Sequence, residues 1–254
     1  MRIDLLQQLA KLGNTFTVNE VIKELKIPRE VLWVLLYRLE QQGRIERIEK
    51  GKYMVIPLGS EKGKHTLNEF TLGTVIVDPC IIAYWSALHH HGLTEQIPLT
   101  VFIQTTSRKK KQNLKIFGIP YKIIRIKSEK IFGTEKLWID ETEVIITNKE
   151  KTIIDCLDKP KYAGGIIEVA KALQEKNIDF EKLKEYMIKL DNSAVTRRLG
   201  YLCNKLEIPI NFDYHKIKKY LKKVRNYIPL DPTMPNEGIK DTKWQIIVNW
   251  DEYD

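Results

Sequence analysis

The chain has 254 residues, more than the roughly 100–200 of one domain, so two domains are expected. Its 43% hydrophobic and 30% charged residues exclude wholesale disorder and fit an ordinary soluble protein. The net charge of +9 suits a polyanionic partner.

No run approaches the roughly 18 consecutive apolar residues of a membrane span, and Met1-Arg2-Ile3-Asp4 does not open like a signal peptide. Cys80, Cys156 and Cys203 are too few and too scattered for a disulfide framework or a paired-cysteine zinc site. A cytoplasmic protein with reduced thiols is expected, without a membrane partner. The positive charge is clustered. Residues 105–130 hold nine basic residues and one acidic, and residues 182–225 hold twelve against four.

Residues 1–58 read as a unit. Ile3, Leu5, Leu6, Leu9 and Leu12 recur at helical spacing and stop at Gly13. A second short helix is predicted from Thr17 or Val18 to Leu25. The turn Lys26-Ile27-Pro28 leads into a third, with Leu32, Leu35, Leu36 and Leu39 on one stripe and a stop at Gly43. Arg44–Ile48 and Tyr53–Ile56 alternate as strands around the turn Glu49-Lys50-Gly51-Lys52. Helix, turn, helix and basic-tipped hairpin make a winged helix-turn-helix. Burying the leucine stripe turns Arg29, Glu30, Trp33, Tyr37 and Arg38 outward to differing degrees, which places Arg29, Trp33 and Tyr37 near DNA, with Arg44, Lys50 and Lys52 on phosphates. An alternative for the two aromatics is packing against the second domain.

Residues 59–65 are polar and read as a linker. From 66 to 254 the pattern is mixed α/β, so the fold class is α+β: a winged helix followed by a larger α/β domain. Helices are expected over 81–90, 151–157, 166–174, 180–190, 194–206 and 214–224. Strands are expected over 99–104, 120–126, 137–140, 144–147 and 244–250.

Five segments carry a resemblance: GKY at 51–53 closing the winged helix, YWSALHHHGL at 84–93, EKTIIDCLDKPKYAGG at 150–165, TRRLGYL at 196–202 and KWQIIVNW at 243–250. In their order and spacing the chain resembles the AbiEi family, antitoxins of the AbiE abortive-infection (type IV toxin–antitoxin) systems. The resemblance implies a phage-defence repressor that binds inverted repeats at its own operon. It also implies an antitoxin that counteracts a nucleotidyltransferase-like toxin, without a stable complex being required. The C-terminal domain would then carry the antitoxin activity and help in DNA binding.

Read for chemistry, Asp155 lies between apolar positions and is expected to meet Arg197 or Arg198. Gly164-Gly165 reads as a tight connection into a helix, because phosphate-loop patterns are absent. Adjacent helical residues diverge by about 100°, so His89-His90-His91 cannot converge on one metal. Arg108, Lys109, Lys110 and Lys111 repel one another unless a polyanion neutralises them, and are candidates for DNA contact. Lys216, Lys218, Lys219, Lys222, Lys223 and Arg225 form a second candidate.

No catalytic residue, metal or cofactor is assigned. The rival readings are a metal-dependent nuclease using Asp140, Glu143 and Glu150, and a winged-helix adaptor that docks protein alone.

Overall fold

The leucine periodicity of the first residues becomes a three-helix core. The computed structural model describes residues 2–56, 68–139, 142–210 and 226–250, together with Phe212, Ile217 and Leu221. Helix α1 (Arg2–Leu12) is followed by β1 (Thr15–Thr17), α2 (Val18–Leu25) and α3 (Arg29–Gln41). Leu5 and Leu9 of α1 meet Val18 and Val21 of α2 and Leu32, Leu36 and Leu39 of α3. Each such side chain contributes roughly 1.5–3 kcal/mol when fully buried.

Thr17 starts α2 by a capping box: its side chain accepts from the Glu20 N–H, and the Glu20 carboxylate accepts from the Thr17 N–H. Lys26 ends the helix in a left-handed conformation, and Pro28 precedes α3. The wing is β2 (Ile45–Glu49) and β3 (Lys52–Val55), antiparallel, with β1 on the other side of β3. The strand β1 was not expected. Its pairing with β3 is long-range and leaves no local signal.

Beyond the wing, α4 (Glu69–Ile76) covers one face of a six-stranded sheet. The strands are β4 (Ile81–Ile82), β5 (Val101–Thr105), β6 (Asn113–Ile116), β7 (Ile119–Arg125), β8 (Thr134–Ile139) and β9 (Thr142–Thr147), in the order β6-β7-β5-β4-β9-β8. β5 runs parallel to β7, and β4 parallel to β9, while the other neighbours are antiparallel.

The opposite face carries the larger core, built with α5 (Tyr84–His90), α6 (Lys149–Asp158), α7 (Ile166–Leu173), α8 (Phe180–Leu190) and α9 (Ser193–Lys205). A small sheet, β10 (Ile228–Pro229), β11 (Ile239–Asp241) and β12 (Ile246–Val248), lies against α9 with Trp244. The fold is thus α+β, a winged helix-turn-helix followed by a mixed α/β body. No helix among the described residues is long and apolar enough to cross a membrane.

Two expectations are corrected. The helix predicted over 81–90 begins only at Tyr84, because Ile81 and Ile82 pair with β5 and β9 in the middle of the sheet. Asp155 does not meet either arginine. It pairs with Lys151 one helical turn away and accepts from Gln104 Nε2 at 2.8 Å. Burial pushes its carboxyl pKa up, even against that ammonium and amide.

The arginines instead serve backbone oxygens. Arg198 donates to the carbonyls of Leu157, Pro229 and Leu230, and Arg197 to that of Asn226 at 2.8 Å. They tie α9 to the small sheet. Gly164 and Gly165, both at positive φ, lead directly into α7, and a Cβ at Gly165 would lie 2.8 Å from Asp231. The expected linker 59–65, the lysine-rich residues 216, 218, 219 and 222–225 and Asp140 lie outside the described residues.

Candidate nucleic-acid interface

With Leu32, Leu36 and Leu39 buried, helical geometry fixes what α3 presents to solvent. Arg29, Glu30, Val34, Tyr37, Arg38 and Gln41 are exposed, Tyr37 at 63% of its surface. Trp33 is half-buried against the three-helix core, so neither aromatic packs on the second unit. Arg29, Trp33, Lys50 and the start of α2 line a cleft of about 300 Å3 between α3 and the wing tip. Arg44 is exposed at the base of the wing.

The wing itself is fixed to the α/β body. Ile48 and Met54 enter the same core cluster as Phe70, Leu72 and Ile76. The last carbonyls of a helix have no intrahelical donor and carry the negative end of its dipole. At the end of α4, Lys52 Nζ donates to the carbonyls of Val75 (2.7 Å) and Ile76 (2.8 Å). Lys109 Nζ reaches the Ile76 carbonyl at 2.6 Å and the Glu49 carboxylate at 2.8 Å. Burial and the neighbouring Lys109 charge together lower the Lys52 pKa.

The two ammonium groups are therefore engaged within the chain. Glu49, which the sequence shows only as a turn residue, is the carboxylate that joins them. Arg108, Lys110 and Lys111 stay exposed on the loop that Lys109 pins beside the wing. Sequence distance conceals this placement of residues 108–111 against residue 49. The apolar Val31 and Val34, also overlooked from sequence, are 49% and 50% exposed on α3. Helical spacing places Val34 opposite the leucine stripe and Val31 on its flank, which is the signal in the sequence.

The other candidates separate. His91 Nε2 donates to the Thr147 carbonyl at 2.7 Å, while the His90 ring stacks edge-on against Phe70. Among the described residues no three His, Cys, Asp or Glu side chains gather as a metal site. Glu143 pairs with Lys136 at the surface, whereas Glu150 is buried against the Asp179 N–H and Lys182. The two carboxylates serve different neighbourhoods.

Two helices joined by a tight turn, the first of them capped, and a hairpin wing make a winged helix-turn-helix, an arrangement that DNA-binding regulators use. Residues 4–56 match the family model described as a transcriptional regulator, AbiEi antitoxin, and over these residues the resemblance drawn from the sequence holds. None of the curated proteins compared with the chain matches it in sequence. Among solved structures the chain is similar to the RV2827C protein from Mycobacterium tuberculosis. The two share 14% identity and a TM-score of 0.64 over 96% of this chain and 89% of that one. That likeness concerns the fold.

Proposed function

We propose that the chain is a DNA-binding transcriptional repressor and antitoxin, with a DNA-binding domain over residues 1–58 and an antitoxin domain over 66–254. In this reading α3 enters the major groove of inverted repeats at the chain's own operon, with Arg29, Trp33 and Tyr37 toward the bases. Arg44 and Lys50 hold the backbone, joined by Arg108, Lys110 and Lys111 from the loop beside the wing. Lys52 and Lys109 position these groups and do not themselves meet phosphate. One monomer occupies each half-site. The antitoxin function opposes a nucleotidyltransferase-like toxin without requiring a stable complex, and the chain acts in the cytoplasm by binding, without a cofactor.

The observation that carries this reading is the match of residues 4–56 to a transcriptional-regulator antitoxin family. The exposed face of α3 and the adjoining cleft add physical support. The full chain is expected to shift DNA from its own promoter without Mg²⁺ and without cleavage. Strand scission that appears with Mg²⁺ and stops with chelator would favour a nuclease. Co-expression with an adjacent toxin gene is expected to restore growth, and failure of the full chain to do so would discard the antitoxin role.

A further inference from the structure

The outermost ridge of α3 sets an aliphatic side chain among polar and charged ones. Residues at i, i+4, i+7 and i+11 share one face, which here presents Glu30, Val34, Tyr37 and Gln41. Val34 lies at the middle of this ridge and keeps 50% of its surface exposed, with no cover from the described residues. Its flanks are cationic and polar: Arg29 and Lys50 line the cleft on one side, and Arg38 is exposed on the other. An apolar protein partner gains little from such a cationic border, whereas the major groove combines flanking phosphates with apolar base edges.

In that groove the thymine 5-methyl is the apolar feature, and it is contacted by side chains that offer no hydrogen bond. Valine has no donor or acceptor, so it cannot read the hydrogen-bonding edge of guanine, cytosine or adenine.

We propose that Val34 is a specificity-determining residue that reads a thymine methyl in each half-site, its basis being the exposed aliphatic side chain at the middle of the outer ridge of α3, between cationic flanks. This rests on the reading of the chain as a DNA-binding regulator. The position beside Val34 in the bound half-site should therefore be T, and its identity should depend on the methyl and not on the base-pairing edge.

The test uses the full chain and duplexes enriched from a random pool. Each enriched duplex is remade with deoxyuridine replacing thymidine one position at a time, which removes only the methyl. One position per half-site is expected to lose affinity about threefold to fivefold, the worth of burying one methyl. Val34→Ala should lose that sensitivity while Val31→Ala, on the flank, keeps it. Both sites are exposed, so folding is not at stake.

Duplex retained without enrichment of any sequence, or enriched duplex indifferent to deoxyuridine, overturns the methyl reading and leaves DNA binding standing. Sensitivity that survives in Val34→Ala overturns the assignment to this residue. Retention of no duplex at all, the result expected if the ridge docks a protein, removes the DNA-binding reading and the inference with it.

Discussion

At the end of α4 two ammonium groups meet over the carbonyls of Val75 and Ile76. Hydrogen bonds from a charged donor typically contribute about 1.5–3 kcal/mol, reduced here because Lys52 is partly exposed. Lys52→Met is therefore expected to lower stability by about 1–2 kcal/mol in urea denaturation, without changing the salt dependence of DNA binding. Lys50→Ala should do the reverse: no change in unfolding midpoint, and a log–log salt slope shallower by about 0.9. A shallower slope in Lys52→Met would return that residue to the phosphate backbone.

The buried pair Lys151–Asp155 follows another logic. Desolvation offsets most of its attraction, so it adds little while intact but costs about 3–5 kcal/mol when one partner is removed. Lys151→Ala and Asp155→Ala should each be strongly destabilising, and the double variant less so than their sum. Additive losses in a double-mutant cycle would show that the two charges act separately.

Helices and strands differ in how much of them the chain's local pattern reveals. Apart from β1, the N-terminal unit is legible nearly to the residue because its signals are short-range: the leucine stripe of α3, the Thr17–Glu20 cap, and Gly43 and Gly51 at positive φ. In the α/β body the helices α6 to α9 are recognised within one or two residues for the same reason. The two-residue strand β4 is not, since Ile81 and Ile82 continue an apolar run into α5 and only their partners on β5 and β9 make them a strand. The partner of Asp155 is hidden in the sequence because a lysine one helical turn away looks like a surface residue until Phe132 and Gly133 cover it. Candidate DNA contacts on α3 and the wing were readable from periodicity, but the engagement of Lys52 and Lys109 depends on where α4 ends.

Gly200 tests the packing of one element on another. A Cβ there would lie 2.2 Å from the Trp244 ring, whose indole N–H donates to Asn204. Gly200→Ala is expected to destabilise by about 1–3 kcal/mol through overpacking, with a shift in tryptophan fluorescence as Trp244 moves off α9. Wild-type stability and emission in this variant would mean that the contact yields freely.

Across the whole molecule, the body holds three buried thiols, and the winged helix is joined to it through Ile48 and Met54. Burial pushes the Cys80 and Cys203 thiols up to about 12 and raises Cys156 as well. These groups hold their protons more tightly in the folded chain than in the unfolded one. Their contribution to stability is therefore complete below about pH 9 and is lost as pH rises toward about 12. The folded chain should leave a thiol-reactive dye unconsumed at neutral pH, and unfolding should release three equivalents. Between pH 9 and 12 it should lose more stability than a Cys80→Ala, Cys203→Ala variant, and equal losses would contradict the assignment.

The same joint places the wing beside the loop bearing Arg108, Lys110 and Lys111, so that with α3 they can present one surface. The most direct test of that surface is fluorescence anisotropy of the full chain with DNA from upstream of its own coding sequence and with a scrambled duplex, across a range of salt. Tighter binding of the upstream DNA is expected, weakening with salt by about 0.9 log units per phosphate neutralised and per log unit of salt. Equal affinity for both duplexes at every salt concentration would contradict the account.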